Sequence, residues 1–404
     1  MTILQINKFF YRRGGADHHF LDLCDLLEEK GEKVVVFSMR DRRNRPSIYE
    51  KYFVSNVEYG SYNWKAIVRF FRIMYSFEAK RKLAALIVKE KPDVAHLHLI
   101  YHHLSPSVLV ALKQSKIPVI MTIHDWKAVC PNYSLFTEGS PCERCRGGRY
   151  IECARHRCMH QSAAQSYWAT LEAYFHHAKK YYENYIDLLI APSQFVKEKF
   201  VHFGWPEDKI TVLRHFLPVG FPLTMTDPLP PPAPRFAYVG RLSVEKGIDR
   251  LVEWWIKNKI GCPLDIFGDG PLMKKITKIT SETKTSGIVL HGQVSRETVY
   301  ANLDDTTAVI MPSVGWETFG LTAIESWARG IPVVASDRGA FTELVNQSGA
   351  GLLFDWDKNN LSEALIKAAD PVYRHKAVAY MNSNHFAGQY YDELKNIYRG
   401  LASK

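Results

Sequence analysis

Residues 313–334 read SVGWETFGLTAIESWARGIPVV, and this stretch decides the fold prediction. A short apolar run ends at Met311, a loop carries Glu317, and helical periodicity begins near Gly320. Gly330 suits a helix C-cap, and the apolar letters that follow it predict another strand. This order of strand, loop, helix and strand is typical of a parallel sheet covered by crossover helices.

The same alternation continues along the chain in both directions. Short apolar runs predict two series of six strands, at residues 3–6, 34–37, 94–98, 119–123, 188–191 and 211–213, then at 236–239, 264–267, 288–291, 308–311, 333–335 and 351–354. Helical periodicity falls between them, for example at residues 17–30, 64–89, 106–115 and 384–401. Residues 228–234, PLPPPAP, can continue neither a helix nor a central strand, so we predict an interdomain linker there.

A chain of 404 residues exceeds what one hydrophobic core usually supports, so two domains are expected. We predict an α/β fold with a first domain over residues 1–220 and a second over 235–383, each a Rossmann-like, doubly wound sheet. Such sheets hold their ligands at the carboxyl ends of the strands. The final helix, within residues 384–404, has no following strand and is expected to pack back on the first domain.

Two carboxylates in the opening stretch are candidate ligand-binding groups. Glu317 lies in the loop, and Glu325 follows eight positions later in the helix. Phe319, Gly320 and Leu321 form the helix start, where a glycine admits close backbone approach and free amides favour an anion. This combination suits a sugar nucleotide, because carboxylates accept hydrogen bonds from the hydroxyls of a sugar and of a ribose.

A second candidate site lies at residues 238–247, YVGRLSVEKG, where the first strand of the second domain ends. Gly240 leaves the strand, and Arg241 and Lys246 lie five residues apart on the loop. An arginine can hold a diphosphate through its planar fork and a lysine can hold it as a point charge. Both cations can also stabilise the charge that develops on a leaving diphosphate.

Two further candidates lie in the first domain. Gly14 and Gly15 stand between its first strand and first helix, without completing a dinucleotide-binding fingerprint. An amide-lined turn before a helix can still face a phosphate or a sugar. His124 and Asp125 follow the predicted strand at residues 119–123, and this places them at the ligand-binding edge of the sheet.

Together these motifs resemble glycosyltransferase family 4, whose members are retaining enzymes with the GT-B fold. The resemblance covers nearly the whole chain, with the GG loop, the HD pair, G-R-x4-K-G, the turn GDGP at residues 268–271 and E-x7-E in the family's order. It implies two Rossmann-like domains that face a central cleft. It also implies transfer of a sugar from a UDP- or GDP-sugar to a saccharide or lipid-linked acceptor, in the synthesis of cell-surface polysaccharide or glycolipid. The attack would occur on the front face, with no divalent metal in catalysis.

The resemblance also implies a role for each matching residue. Glu317 would bind the transferred sugar, Glu325 the donor ribose, and His124 a hydroxyl of the donor sugar. The residues implied in catalysis are Glu317, His124, Arg241 and Lys246. The residues implied in binding the donor are Gly14, Gly15, Gly240, Arg241, Lys246, Gly268, Gly270, Phe319, Gly320, Leu321 and Glu325.

A cysteine-rich insert occupies about residues 126–160 of the first domain. Thiolates at such spacing commonly meet around a tetrahedral zinc ion. The expected ligands of this structural zinc are Cys142, Cys145, Cys153 and Cys158, with Cys130 as a reserve. The alternative is a set of free thiols or adventitious disulfides.

The formal net charge of +10 indicates an anionic partner: a nucleic acid, a phospholipid surface or a phosphorylated small molecule. No nucleic-acid-binding motif supports the first of these. Residues 62–82 form a basic, amphipathic segment that would lie either on an anionic membrane or as a helix packed on the core. With neither an 18-residue apolar run nor a signal-peptide pattern, we expect a cytoplasmic protein, peripheral on the inner face of the plasma membrane.

Three alternatives to a glycosyltransferase stay open. One is another enzyme of the GT-B fold that acts on a nucleotide sugar or a glycan, namely an epimerase, a hydrolase or a phosphorylase. Another is a nucleotide-sugar-binding protein without catalytic activity. The last is a nucleic-acid-binding protein, which a salt-dependent shift with DNA would reveal.

Overall fold

The computed structural model describes residues 1–56, 71–224, 230–283 and 287–403. It consists of two compact units. The first comprises Met1–Leu135, Glu143–Val219 and Ala387–Lys404, and the second comprises Phe136–Cys142 and Gly220–Phe386. The second unit thus takes residues 136–142, which the sequence analysis assigned to the first domain. The predicted linker lies within the second unit, and its first two residues, 228 and 229, lie outside the described residues.

The strands of the described residues are β1 (Thr2–Ile6), β2 (Lys33–Phe37), β3 (Val94–Leu97), β4 (Val119–Thr122), β5 (Phe136–Thr137), β6 (Ser140–Pro141), β7 (Leu188–Ala191), β8 (Ile210–Val212), β9 (Phe236–Val239), β10 (Leu264–Phe267), β11 (Ile288–Gly292), β12 (Ala308–Met311), β13 (Val333–Ser336) and β14 (Gly351–Phe354). All twelve predicted strands are confirmed to within one residue at either end. Strands β5 and β6, which form a two-stranded antiparallel sheet, were not predicted from the sequence.

The α-helices with both ends in the described residues are α1 (Gly15–Glu29), α2 (Phe77–Glu90), α3 (Ser107–Gln114), α4 (Ile151–Arg155), α5 (Ala163–Ala178), α6 (Tyr181–Tyr185), α7 (Gln194–His202), α8 (Ile248–Lys257), α9 (Met273–Glu282), α10 (Arg296–Leu303), α11 (Leu321–Ala328), α12 (Ala340–Ser348), α13 (Leu361–Lys367), α14 (Val372–Met381) and α15 (Ala387–Ala402). Within those residues no helix combines the length and the apolar character needed to cross a membrane.

Each unit contains one six-stranded parallel sheet. The strand order is β2-β1-β3-β4-β7-β8 in the first unit and β11-β10-β9-β12-β13-β14 in the second. Both orders are doubly wound, because the chain starts near the middle of the sheet and proceeds outward in two directions. The reversal lies between β1 and β3 in the first unit and between β9 and β12 in the second. Doubly wound sheets bind their ligands at this reversal, outside the carboxyl ends of the strands.

The central strands are apolar because helices cover both faces of each sheet. The four residues of β12 and the four of β13 are all buried. Trp255 of α8 and Trp327 of α11 are fully buried in the second unit. Close packing of this kind fixes the positions of the strand ends, from which the loops of the candidate site start.

The predicted single helix over residues 64–89 is wrong in one respect. Residues 71–74 are helical, but the helix is interrupted before α2 begins at Phe77. Ser76 is the N-cap of α2, and its hydroxyl oxygen accepts a hydrogen bond of 3.1 Å from the amide of Ala79. The amide of Ser76 in turn donates to the hydroxyl of Ser105 at 2.8 Å. Residues 64–70 lie outside the described residues.

The C-terminal helix α15 belongs to the first unit, where it packs against α1 and β3. Its buried side chains are those of Tyr390, Tyr391, Leu394 and Tyr398. The hydroxyl of Tyr391 donates to Glu32 at 2.6 Å, and the ammonium group of Lys395 lies 3.1 Å from the same carboxylate. The last helix of the described chain thus packs on a sheet whose strands lie between Thr2 and Val212.

Candidate functional site

In the second unit, the loops after β9, β10 and β12 meet at the carboxyl edge of the sheet, and glycines bring them together. Gly268 has a φ of +133°, and a Cβ atom there would lie 1.9 Å from the carbonyl oxygen of Gly240. Gly247 has a φ of +68°, and a Cβ atom there would lie 2.0 Å from the carbonyl oxygen of Pro312. Contacts this short exclude any residue other than glycine. The three loops are therefore packed backbone to backbone beside the topological reversal.

An ion pair joins two of these loops. The ammonium group of Lys246 donates to both carboxylate oxygens of Glu317, at 2.7 and 2.8 Å. The hydroxyl of Ser313, four positions earlier, also donates to Glu317 Oε1. The carbonyl oxygen of Glu317 accepts the amide of Ala340 at 3.1 Å, which fixes the backbone as well. Glu317 is thus held in one orientation at the edge of the sheet.

The two partners of this ion pair differ in exposure. The side chain of Glu317 is 12% exposed, whereas that of Lys246 is 36% exposed. The lysine therefore keeps part of its side chain open to solvent, while the side chain of Glu317 is nearly enclosed. A bound anion could contact Lys246 without displacing Glu317 from its backbone position.

Arg241 is exposed at the start of the same edge, immediately after Gly240. Within the described ranges no carboxylate forms an ion pair with its guanidinium group. Its backbone is fixed, because the buried hydroxyl of Tyr238 donates to its carbonyl oxygen at 2.7 Å. Burial raises the pKa of Tyr238, so the phenol keeps the proton that it donates. The backbone of Arg241 is therefore fixed, while its guanidinium group pairs with no carboxylate of the described residues.

Glu325 lies in α11 and forms an ion pair with Arg296 of α10, at 3.0 Å. Its side chain is 15% exposed. Arg296 was not predicted from the sequence, because it lies 29 positions earlier and belongs to no recognised motif. A carboxylate has about four acceptor sites, so one that accepts from an arginine can also accept from the hydroxyls of a ribose.

The three residues at the start of α11 have different environments. Gly320 is the N-cap with a φ of +114°, and a Cβ atom there would lie 2.7 Å from Phe341. Phe319 is 2% exposed, so its side chain belongs to the core and only its backbone is available to a ligand. Leu321 is half-buried. Of the predicted donor-binding residues, Phe319 is therefore the one whose side chain cannot face a ligand in this conformation.

In the first unit, His124 follows β4 at the carboxyl edge of the sheet. Its Nε2 lies 2.8 Å from Nδ1 of His98, which follows β3. Burial lowers the pKa of His124 to about 3, so the ring is neutral at physiological pH. Further rings stack around this pair: His124 and His215 have centroids 5.5 Å apart, and His19 and His215 have centroids 3.9 Å apart.

The glycine loop lies at the reversal of the first sheet, after β1. Gly14 is the N-cap of α1, and Gly14 and Gly15 are both exposed. The side chain of Asp17, in the first helical turn, is instead buried and accepts from the amide nitrogen of Asn7 at 2.9 Å. Burial raises the pKa of Asp17, and the Asn7 hydrogen bond opposes that rise. The exposed backbone of this turn is the part that can approach a ligand.

Charged side chains interact with Asp125, the residue that follows His124. Asp125 is half-buried and accepts the amide of Lys127 at 2.9 Å. Burial lowers the pKa of Lys8, although the carboxylates of Asp125 and Asp17 attract its proton. Lys127 is itself buried and forms an ion pair of 2.8 Å with Glu172. This polar edge suits a hydroxyl-rich molecule better than an apolar one.

The cysteines of the insert are all free thiols in the structure. Cys153 forms a hydrogen bond with Cys158, and this bond together with burial raises the pKa of the Cys153 thiol. Cys145 lies in the same small apolar cluster, whereas Cys142 belongs to the second unit. Over the residues that the structure describes, no three His, Cys, Asp or Glu side chains are arranged to hold a metal ion. The geometry therefore gives the predicted zinc site no support.

Sequence comparisons match both units to sugar-transferring proteins. A family model described as "Glycosyltransferase Family 4" matches residues 13–219, and one described as "Glycosyl transferases group 1" matches residues 233–370. An uncharacterised 42.6 kDa protein from the cps region of Klebsiella pneumoniae is 24% identical over 362 residues, or 85% of this chain and 87% of that protein. The amylovoran biosynthesis glycosyltransferase AmsK of Erwinia amylovora is 29% identical over 192 residues, or 45% of this chain and 47% of that protein.

Solved structures give the same fold over the whole chain. Sucrose-phosphate synthase from Thermosynechococcus elongatus aligns with a TM-score of 0.69 at 18% identity, covering 100% of this chain and 99% of its own. HepE of Anabaena, solved in complex with UDP and glucose, aligns with a TM-score of 0.67 at 15% identity, covering 99% and 100%. The fold is α/β of the GT-B type, as predicted.

Proposed function

This chain belongs to glycosyltransferase family 4, and on that premise we propose that it transfers a sugar, with retention of anomeric configuration, from a UDP- or GDP-sugar. The acceptor is a saccharide or a lipid-linked saccharide, and the product contributes to a cell-surface polysaccharide or glycolipid. The reaction takes place in the cytoplasm, with the enzyme held peripherally at an anionic membrane surface.

The observation that carries the proposal is the arrangement around Glu317. A carboxylate 12% exposed is fixed by Lys246 and Ser313 at the reversal of a doubly wound sheet. The free guanidinium of Arg241 lies on the loop that also carries Lys246. One edge thus offers an acceptor for sugar hydroxyls and two cations for a diphosphate, which are the two chemical parts of a sugar nucleotide.

The two cations can also stabilise the leaving group of the reaction. In the proposed reaction the acceptor oxygen bonds to the anomeric carbon while the bond from that carbon to the diphosphate oxygen breaks. The electron pair of the broken bond stays on the diphosphate, which gains charge as the sugar departs. Arg241 and Lys246 stabilise that charge by hydrogen bonds that strengthen in the transition state.

Retention follows when the acceptor attacks from the face that the diphosphate leaves. On that face a diphosphate oxygen lies close enough to take the proton of the acceptor hydroxyl. The protein then needs no carboxylate placed beneath the ring as a nucleophile. Glu317 serves instead to bind the sugar, and its contacts with Lys246 and Ser313 hold its carboxylate in place for that task.

The ribose and the transferred sugar need separate partners. Glu325 accepts hydrogen bonds from the two ribose hydroxyls, with Arg296 holding the carboxylate in place. His124 and the backbone of Gly14 and Gly15 contribute contacts to the sugar and the diphosphate. The titles of two solved neighbours lend support, because HepE of Anabaena was solved with UDP and glucose and also with UDP-glucose.

The membrane part of the proposal rests on the exposed stripe of α2, formed by Phe77, Arg81, Ala85 and Val88. Phe77 is 79% exposed and Val88 75% exposed. Along the described part of the chain no carboxylate pairs with Arg81, whereas Arg72 and Lys82 both pair with Glu78. Apolar and basic side chains on one stripe suit the interface of an anionic bilayer.

The test begins with thermal shift assays of the purified chain against UDP-, GDP- and ADP-sugars. A ligand that binds only the folded state raises Tm according to its affinity. The donor that raises Tm is then incubated with candidate saccharide acceptors, and the products are identified by mass spectrometry. We expect transfer that Glu317→Gln abolishes and that Glu363→Gln, in an exposed ion pair with Lys367, leaves intact.

Other outcomes separate the alternatives. Sugar-nucleotide binding with neither transfer nor hydrolysis would indicate a binding protein without catalytic activity. Hydrolysis or epimerisation of the donor that no acceptor suppresses would indicate a different reaction at the same site. No binding of any sugar nucleotide would refute the proposal.

A further inference from the structure

A chain of buried hydrogen bonds runs from the C-terminal helix to His124. It consists of Tyr398, Gln5, His98 and His124, and we call it the His124 relay. Gln5 Oε1 lies 3.0 Å from His98 Nε2, and His98 Nδ1 lies 2.8 Å from His124 Nε2. At the other end, Gln5 Nε2 donates to the hydroxyl of Tyr398 at 3.4 Å. Gln5 and His98 are both 0% exposed, so water cannot take the place of these partners.

The histidine rings of the relay are neutral. Burial lowers the pKa of His124 to about 3, and burial also lowers that of His98 well below its usual value. The nearby rings of His96 and His215 would repel any charge on His98. A neutral imidazole carries one proton, so one ring nitrogen donates and the other accepts.

The amide of Gln5 then determines which ring nitrogen carries the proton in His98 and in His124. Its Oε1 can only accept, so Nε2 of His98 carries the proton of that ring. Nδ1 of His98 is left as an acceptor, and Nε2 of His124 must donate to it. The remaining nitrogen, His124 Nδ1, carries no proton and has no hydrogen-bond partner in the part of the chain that the structure describes.

Tyr398 fixes the orientation of that amide. Its hydroxyl accepts from Gln5 Nε2 and lies 2.6 Å from Nδ1 of His96, so its own proton is available for donation to that nitrogen. With Nδ1 of His96 as the acceptor, the proton of that ring lies on Nε2, which is 2.7 Å from the hydroxyl oxygen of Thr122. A half-turn of the Gln5 amide would reverse the donor and the acceptor at each later step. The phenol on α15 therefore decides which nitrogen of His124 accepts.

We propose that Gln5, His98 and Tyr398 are positioning residues that hold His124 in the Nε2–H tautomer, so that His124 Nδ1 accepts a hydrogen bond from a hydroxyl of the bound sugar. The identity of that hydroxyl donor rests on the proposed function, whereas the tautomer itself does not. The relay also gives α15 a role in the site beyond covering the sheet.

The primary test needs no substrate. The full chain is labelled with ¹⁵N in histidine only, and the ring-nitrogen chemical shifts of His124 are assigned with His124→Gln. We expect a protonated Nε2 and an unprotonated Nδ1 in the wild-type protein at neutral pH. A protonated Nδ1 would overturn the proposal, and this readout stands even if a relay variant fails to fold.

Two phenol variants on one helix then test the control by Tyr398. Tyr398→Phe frees the Gln5 amide, and we expect the His124 nitrogen shifts to move toward a mixture of tautomers. Tyr391→Phe is the matched control, because it removes a buried hydroxyl of α15 that bonds to Glu32 and not to the relay. Unchanged His124 shifts in a folded Tyr398→Phe protein would overturn the role of Tyr398.

The functional arm uses the donor identified by thermal shift. One misplaced neutral hydrogen bond lowers kcat/KM about tenfold, so we expect that loss in Tyr398→Phe and not in Tyr391→Phe. The Kd of the nucleoside diphosphate should stay unchanged in both, since it lacks the sugar. If no sugar nucleotide binds, the proposed function fails while the tautomer result still decides the relay. Unaltered kcat/KM in Tyr398→Phe would contradict the link to the sugar.

Discussion

Replacing Lys246 by methionine tests the assignment of the diphosphate site. Methionine keeps much of the length and apolar volume of lysine but removes the ammonium group, which lies 2.7 and 2.8 Å from the oxygens of Glu317. The lysine side chain is 36% exposed, so the ion pair stabilises the fold by less than about 1 kcal/mol. We therefore expect Tm to change by no more than about 4 °C.

The effect on binding should be larger. A hydrogen bond from the ammonium group to a charged phosphate oxygen contributes about 1.5 to 3 kcal/mol. Its loss corresponds to a Kd raised roughly 10- to 100-fold. Glu317, left without its cation at 12% exposure, would also repel the diphosphate and push the change toward the upper end.

Isothermal titration calorimetry with UDP and GDP measures this directly. The nucleotide that the wild-type protein binds is titrated into Lys246→Met and into Lys275→Met. Lys275 is the matched control, because it pairs with Asp249 and Glu253 on the surface of the same unit and is 46% exposed. A Kd for folded Lys246→Met within about twofold of the wild-type value would refute the diphosphate assignment.

Three further predictions concern stability, metal and membrane. In Glu32 burial opposes ionisation, but hydrogen bonds from the N-terminus, Tyr391 and Lys395 lower the pKa to about 2. Glu32→Gln should therefore destabilise the fold at pH 7, and its deficit against wild type in urea unfolding should shrink as pH falls from about 5 to about 2; a pH-independent deficit would contradict this. Elemental analysis of fresh, reduced protein should find about one zinc per chain, which requires the thiolates of the insert to move together around the ion. If no zinc is found, the thiols are free and the zinc prediction is wrong. Arg81→Glu should reduce pelleting with anionic vesicles, and more so at low salt, while Arg296→Gln should not; equal pelleting with neutral vesicles would refute the membrane proposal.

The sheets could be predicted from sequence because their strands are buried on both faces. Runs such as Ala308–Met311 and Val333–Ser336 are apolar at every position or nearly so, which leaves little ambiguity. Helix periodicity was less informative at Ser76. A serine there fits the interior pattern of one long helix, and only its hydrogen bonds with Ala79 and Ser105 show that it is an N-cap.

The site was predictable where its residues lie in one short motif. Glu317, Arg241 and Lys246 were recognised because each stands on a loop directly after a strand. Ser313 lies in the quoted stretch, but nothing in the sequence shows that its hydroxyl reaches Glu317. Arg296 pairs with Glu325 through a helix-to-helix contact that no local pattern reveals.

The contacts among the histidines were still harder to predict from the sequence. His19, His98, His124 and His215 are spread over almost 200 positions. The sequence gives no spacing that connects them, and among these four only His124 was predicted to lie in the site. The parallel order of β1, β3 and β4 brings His98 and His124 to adjacent strand ends, and this fold-level proximity creates their hydrogen bond.

The anomeric configuration of the product tests most directly the proposal that the enzyme transfers a sugar with retention. Once a donor and an acceptor are known, the wild-type enzyme is incubated with both and the new glycosidic linkage is followed by ¹H NMR from the first minutes of reaction. We predict that the linkage has the same anomeric configuration as the donor sugar, and that Glu317→Gln forms none of it. A product of opposite configuration would contradict the proposed attack from the face that the diphosphate leaves.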